Sequence, residues 1–218
     1  MSYTGTGNNA TVGHGLGSNV NMVIIKDRDV SRDWILGHTT LGFNKYLLLN
    51  STAASTTASN RFQDTAPSSS VFTIGTHGYT NNSGSDYIAY CFAEKKGYSK
   101  FSSWIGNGNA DGPYIHLGFA PAFIMYKHTT DGHSWIMEDV KRNIAGNGYL
   151  NGPASREFYP NANNAEATSG VRFDFLSNGF KIREGSSADI NQSGVEFIYM
   201  AFAENPFVTS TGIPSTAR

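Results

Sequence analysis

Short apolar-rich runs, some of them alternating with polar residues, recur along this chain with turn chemistry between them, and that pattern predicts strands rather than helices. In the first half it runs through Val20 to Lys26, Trp34 to His38, Tyr46 to Leu49, Val71 to Ile74 and Tyr87 to Ala93. The second half carries it through Ala122 to Lys127, Ser134 to Glu138, Val171 to Phe175, Gly179 to Arg183 and Phe197 to Ala203. Between Arg172 and Arg183 the alternation continues on both sides of Ser177-Asn178-Gly179, which predicts a hairpin. Asp131-Gly132 and Asn191-Gln-Ser-Gly194 supply further turns.

The same unit is written twice. Aligning Met22-Val-Ile-Ile-Lys26 with Phe123-Ile-Met-Tyr-Lys127 gives an offset of about 101, which also pairs Trp34 with Trp135 and Gly5-Thr-Gly7-Asn8 with Gly106-Asn-Gly108-Asn109. Further along, Ser83-Gly84 to Glu94 matches Ser193-Gly194 to Glu204 at an offset of about 110, so the second copy holds a net insertion. The polar stretch Tyr159 to Thr168 is the natural place for it, opposite the Ser/Thr/Ala tract Asn50 to Asn60. The two copies fit either two compact sandwiches or two halves of one larger sandwich; two tandem antiparallel β-sandwiches, jelly-roll or lectin-like, are expected, residues 1–100 and residues 101–218 with a C-terminal tail. Their expected cores are Val23, Ile25, Trp34, Ile88, Tyr90 and Phe92, then Ile124, Trp135, Phe173, Phe175, Phe180, Ile198 and Phe202.

Composition agrees with an all-β class. The 24 Gly, with many Ser, Thr and Asn, suit tight turns, and a net charge of -1 with 15% charged residues gives no electrostatic footprint for nucleic acid or an anionic membrane. A single cysteine, Cys91, allows no internal disulfide. No apolar run reaches the roughly 18 residues of a membrane span, and the polar start lacks the parts of a signal peptide, so export inside a particle is the expectation.

Candidate chemistry is sparse. His128-Thr-Thr-Asp131-Gly-His133 is the densest titratable cluster, but its spacing fits no zinc pattern and reads as a hairpin turn, with Asp27 to Arg32 at the corresponding place in the first copy. Gly13-His-Gly-Leu-Gly17 and Gly106-Asn-Gly108 lack the Lys-Ser/Thr ending of a phosphate loop and read as turns. Cys91 aligns with Ala201, as a small strand residue would. Trp34 and Trp135, at equivalent positions, are expected in equivalent cores rather than as sugar platforms. Loop aromatics beside amides are the better ligand contacts: Tyr79 with Asn81 and Asn82, and Tyr159 with Asn161.

His14-Gly-Leu-Gly17, Tyr87-Ile-Ala-Tyr-Cys-Phe92, Gly97-Tyr-Ser-Lys-Phe101, Phe175-Leu-Ser-Asn-Gly-Phe-Lys-Ile182 and Ala201-Phe-Ala-Glu-Asn-Pro-Phe207 together resemble a repeated domain of tail-fibre-like structural proteins from bacteriophages, notably marine ones. The resemblance spans nearly the whole chain and extends to the tail Thr211 to Arg218. It implies β-sandwich modules on the external surface of a virion, non-enzymatic and without metal or cofactor. A tail-fibre or receptor-binding role in host attachment is the leading expectation; capsid decoration, or a head fibre binding only other virion proteins, is the alternative. The expected partners are other virion proteins and a host surface glycan or receptor, with self-association as a homotrimer implied by resemblance and no nucleic acid or membrane insertion. Met1 aligns against an internal segment of longer relatives, which fits either a piece of a longer fibre or a short protein made of the pair alone. A depolymerase is a third reading and would need a groove with paired carboxylates roughly 5 to 9.5 Å apart.

Overall fold

The computed structural model describes residues 1–142, 156–168, 171–185 and 187–205. The tail from Thr211 and the Pro206-Phe207 end of one resemblance motif lie outside the described residues. The chain divides into two compact units, Met1–Glu94 and Lys95–Arg218. The division falls a few residues before the expected boundary at 100, because the strand that opens the second unit already begins at Ser99.

In the first unit the strands are β1 (Ser2–Thr4), β2 (Ala10–Gly13), β3 (Met22–Asp27), β4 (Ile35–His38), β5 (Lys45–Leu48), β6 (Thr56–Thr57), β7 (Val71–Ile74) and β8 (Asp86–Phe92). Two single-turn helices, α1 (Ser59–Phe62) and α2 (Gly78–Asn81), flank β7. One antiparallel sheet runs β1-β8-β3-β4-β5-β6, and β2 pairs with β7 in the other. Between them lies a core of Val23, Ile25, Ile35, Tyr87 and Ala89 from the large sheet, packed on Val12, Phe72 and Ile74 from the small one. The β-branched run of β3 suits a strand buried on both faces.

The second unit contains β9 (Ser99–Ile105), β10 (Tyr114–His116), β11 (Pro121–His128), β12 (Ile136–Asp139), β13 (Arg156–Glu157), β14 (Ala167–Thr168), β15 (Phe173–Leu176), β16 (Gly179–Ile182) and β17 (Glu196–Ala203). Among the described residues, one sheet runs β12-β11-β17-β9, a second runs β10-β16-β15, and β13 pairs with β14. The β15–β16 hairpin has the anticipated register, with Leu176 opposite Gly179 across a two-residue turn. Trp104 on β9 stacks on Phe197 at 5.2 Å between centroids and meets Tyr126, Phe173, Phe180 and Tyr199 edge-on or tilted.

Strand order is shared: β1-β8-β3-β4 in the first unit has the same sequence-equivalent order as β9-β17-β11-β12 in the second. Details recur at the atomic level. Tyr3 stacks on Tyr87 and its hydroxyl donates to Thr80 O at 2.6 Å, while Trp104 stacks on Phe197 and its indole N–H donates to Ile190 O at 3.0 Å. The protein is nearly all-β, an antiparallel β-sandwich fold in each unit.

The core expectations need one correction. Across β3 and β8 the inward pairs are Val23 with Cys91, Ile25 with Ala89 and Asp27 with Tyr87. Ile88, Tyr90 and Phe92 therefore face the opposite side of the sheet, with Tyr90 exposed. The same one-residue phase holds in β17, where Phe197, Tyr199 and Ala201 join the core cluster while Ile198 is buried on the other face and Phe202 is only partly buried. A slip of one residue exchanges every side chain between faces, and these strands carry apolar residues on both.

Candidate functional site

The five loop residues expected to touch a ligand occupy different environments. Asn81 is fully buried: its Oδ1 accepts from Thr6 N at 2.7 Å, and its Nδ2 donates to Asn8 O at 2.5 Å and Gly75 O at 2.8 Å. That is a clasp across a glycine-rich turn, and it corrects the expectation of a surface contact. Asn161 is also committed internally, accepting from Trp135 N at 2.7 Å and donating to Ser134 Oγ at 3.2 Å. Tyr159 packs against the core and donates its hydroxyl to Glu157 at 2.8 Å. Tyr79 is partly buried on the first unit's core. Asn82 alone among the five is exposed, with its amide donating to Ser85 Oγ.

The histidine cluster is a turn, and its chemistry is legible in the partners. His128 Nδ1 accepts from Thr130 N at 3.3 Å and Asp131 N at 3.1 Å, leaving Nε2 to donate to Gln192 Oε1 at 3.2 Å. At the equivalent place Asp27 Oδ1 accepts from Asp29 N and Val30 N, so imidazole and carboxylate perform one task. Each turn is tied down by the preceding lysine, Lys26 Nζ donating to Arg32 O and Lys127 Nζ to His128 O and Asp131 O. Burial lowers the Lys127 ammonium to about 8. No group of three or more His, Cys, Asp or Glu among the described residues is placed to hold a metal ion. Burial also pushes the Cys91 thiol up to about 11, which keeps it protonated and unreactive near neutrality.

A pH dependence follows. Burial, opposed by the Gln192 hydrogen bond and assisted by His133 and Lys127, lowers the His128 pKa below its ordinary value; Asp131 opposes weakly. A histidine with a depressed folded pKa gives its full stability above the unfolded value of about 6.5, and loses it as pH falls through the folded value. His77, whose pKa burial also lowers, accepts the Tyr79 N–H through Nδ1 in the same way. The urea midpoint should therefore be lower at about pH 5 than at about pH 7.5, and His128→Asn, which keeps an acceptor without titrating, should reduce that loss. Equal midpoints at both pH values would contradict the assignment.

An aromatic platform appears where a core was expected. Trp34, just before β4, is half-buried and stacks on Tyr90 at 6.3 Å between centroids and 28° between planes; Tyr90 is 44% exposed. The Lys26 ammonium lies 5.9 Å from the Trp34 ring centroid. A polar rim adjoins: Asn50 Oδ1 accepts from Trp34 N at 3.0 Å and its amide donates to Asp33 at 2.9 Å. The equivalent Trp135 is 1% exposed, and Tyr90 is replaced by Met200 in the second unit. Sequence reasoning missed the platform because equivalence of Trp34 with Trp135 argued for equal burial. A separate shallow groove of about 410 Å³, with hydroxyl and aliphatic lining that includes Ser2, Thr4, Thr6, Thr11, Val12 and Ile74, runs beside β1 and β2.

The family described as Domain of unknown function (DUF7483) matches residues 1–206, across both units. The chain belongs to the DUF7483 family. No curated protein and no solved structure matches this DUF7483 chain.

Proposed function

We propose that this DUF7483 protein is a non-enzymatic surface module of a phage virion, of tail-fibre or receptor-binding type, which contacts host glycans through the Trp34–Tyr90 platform. The observation that carries the reading is the contrast between units. One fold buries Trp135 completely and leaves its equivalent Trp34 stacked beside an exposed Tyr90. Leaving aromatic area in water forfeits roughly 25 cal/mol per Å² of stabilisation, and a flat ring pair with a polar rim suits the apolar face of a pyranose. The phage resemblance supplies the setting, in which several copies per particle multiply a weak single-site affinity.

The test is solution mass by light scattering, then a glycan array with the same sample. A homotrimer that binds defined glycans, and loses them in Trp34→Ala and Tyr90→Ala while both variants keep their far-ultraviolet dichroism, supports attachment. Each substitution should cost only about 1 to 2 kcal/mol of stability, because each ring is already partly in water. A chain blind to every glycan that instead binds purified virion proteins would favour the decoration reading.

A further inference from the structure

Two buried arginines hold corresponding places in the two units and differ in their company. Arg61 in α1 is 7% exposed and Arg172 before β15 is 8% exposed. Each precedes a core phenylalanine, Phe62 or Phe173, and each accepts a 2.8 Å hydrogen bond at its carbonyl, from Gly75 N or Arg183 N, just past the strand that follows. Arg172 is neutralised twice over: its Nε pairs with Glu157 and its Nη1 with Asp189 at 2.8 Å. No carboxylate pairs with Arg61 among the described residues. Its Nη1 donates to Asn60 Oδ1 at 2.7 Å, and its buried Nε has no partner.

Tyr79 stands two residues before Asn81, as Asp189 stands two residues before Asn191, the second clasp asparagine. Where the second unit brings a carboxylate to its arginine, the first brings a ring. The Arg61 guanidinium carbon lies 4.8 Å from the Tyr46 centroid and 5.4 Å from the Tyr79 centroid. Arg32 adds a second guanidinium, 5.9 Å from the same Tyr79 ring, lying against Gly78 and paired with Asp27 at 3.1 Å. Counting the two guanidiniums of this cluster against its one carboxylate, Asp27, the cluster keeps one positive charge uncompensated. The neighbouring His77 feels it, its pKa lowered first by burial and then by Arg61 and Arg32. Aromatic faces offset part of the cost of burying a cation, but they leave the Nε–H without an acceptor.

We propose that this slot, formed by Arg61, Arg32 and Tyr79, binds an oxyanion: the carboxylate or sulfate of an acidic saccharide. The bound oxygen accepts the free Nε–H of Arg61, the contact that Glu157 supplies to Arg172 Nε in the second unit, and balances the excess charge of the cluster. Charge-assisted bonds from guanidinium to carboxylate are the strong members of their class. The saccharide part rests on the attachment reading; the anion part stands on the arginine geometry alone.

The experiment is titration calorimetry of the full chain with sodium glucuronate, sodium sulfate and glucose at constant ionic strength. Glucuronate should bind and glucose should not. Binding should vanish in Arg61→Met and in Tyr79→Asp, the latter because an internal carboxylate then fills the slot as Asp189 does in the second unit. Tyr79→Asp also guards against an Arg61→Met variant that fails to fold, since it leaves the guanidinium in place. Sulfate binding without glucuronate binding would overturn the carboxylate assignment and leave a sulfate-selective slot. Heat from neither anion, or heat that survives Tyr79→Asp in a folded protein, would overturn the proposal. A glycan array lost in Trp34→Ala tests the attachment reading separately, so either can fail without the other.

Discussion

Trp104→Ala is expected to destabilise the protein by about 3 to 5 kcal/mol, seen as a lowered urea midpoint. The indole is buried among five aromatic rings with centroids between 5.2 and 6.4 Å away, and its N–H donates to Ile190 O. Truncation removes the largest side chain of that cluster and leaves a cavity whose walls are rigid rings, so collapse around it is poor. It also strands a buried carbonyl. Trp135→Ala belongs in the same range, because that ring is 1% exposed. Trp34→Ala belongs well below it, although Trp34 and Trp135 are the sequence-equivalent pair. The three tryptophans thus separate the burial seen in the structure from the equivalence seen in the sequence. Equal losses at Trp34 and Trp135 would contradict the exposed platform.

Much of this architecture was written in the chain. The Val-Ile-Ile run of β3 and the apolar stretches of β8 and β17 declared themselves as short apolar runs, the Phe-Asp-Phe to Phe-Lys-Ile hairpin by alternation, and the matched spacing of the two halves put corresponding strands in corresponding order. Among the described residues seven strands escaped notice: β1, β2, β9 and β10 lie beside glycine-rich turns and draw on polar residues such as Ser, Thr and His, and β6, β13 and β14 are two residues long, so their pattern reads as loop. The phase of β8 was illegible for another reason. Both of its faces carry apolar residues, and the bulkier Ile88, Tyr90 and Phe92 turned away from the core while Tyr87 and the smaller Ala89 and Cys91 turned toward it. Residue size does not report facing when a strand is apolar on both sides.

The candidate sites were less legible, because each depends on partners distant in sequence. Tyr79 was singled out for its polar neighbours, yet what distinguishes it is Arg61 beside its ring, 18 positions earlier by the difference of their numbers. Asn81 looked the same as Asn82 in a loop sequence; the fold buries one and exposes the other. A loop amide becomes a core residue when the fold closes over it and three backbone groups pair with its own donors and acceptor.

That distinction gives the second large effect. Asn81→Ala and Asn191→Ala are each expected to cost about 2 to 4 kcal/mol, since each removes three hydrogen bonds from a fully buried amide to the backbone at about 0.5 to 1.5 kcal/mol apiece. Asn191 repeats the Asn81 pattern, accepting from Asn107 N at 2.9 Å and donating to Asn109 O at 2.8 Å and Glu184 O at 2.7 Å. The turn it clasps cannot shift to compensate: a Cβ on Gly106 would lie 2.2 Å from Gln192 O, and one on Gly5 would lie 2.1 Å from Asn82 O. Asn81→Asp is the sharper variant. It keeps the shape and the acceptor for Thr6 N, but turns a charged oxygen toward the carbonyls of Asn8 and Gly75. Its folded-state pKa should rise by burial and carbonyl repulsion, so its loss of stability relative to wild type should be greatest near neutral pH and shrink in acid as the carboxyl gains a proton to donate. A ligand-contact role for Asn81 predicts the opposite, a glycan affinity that changes in a protein whose urea midpoint does not.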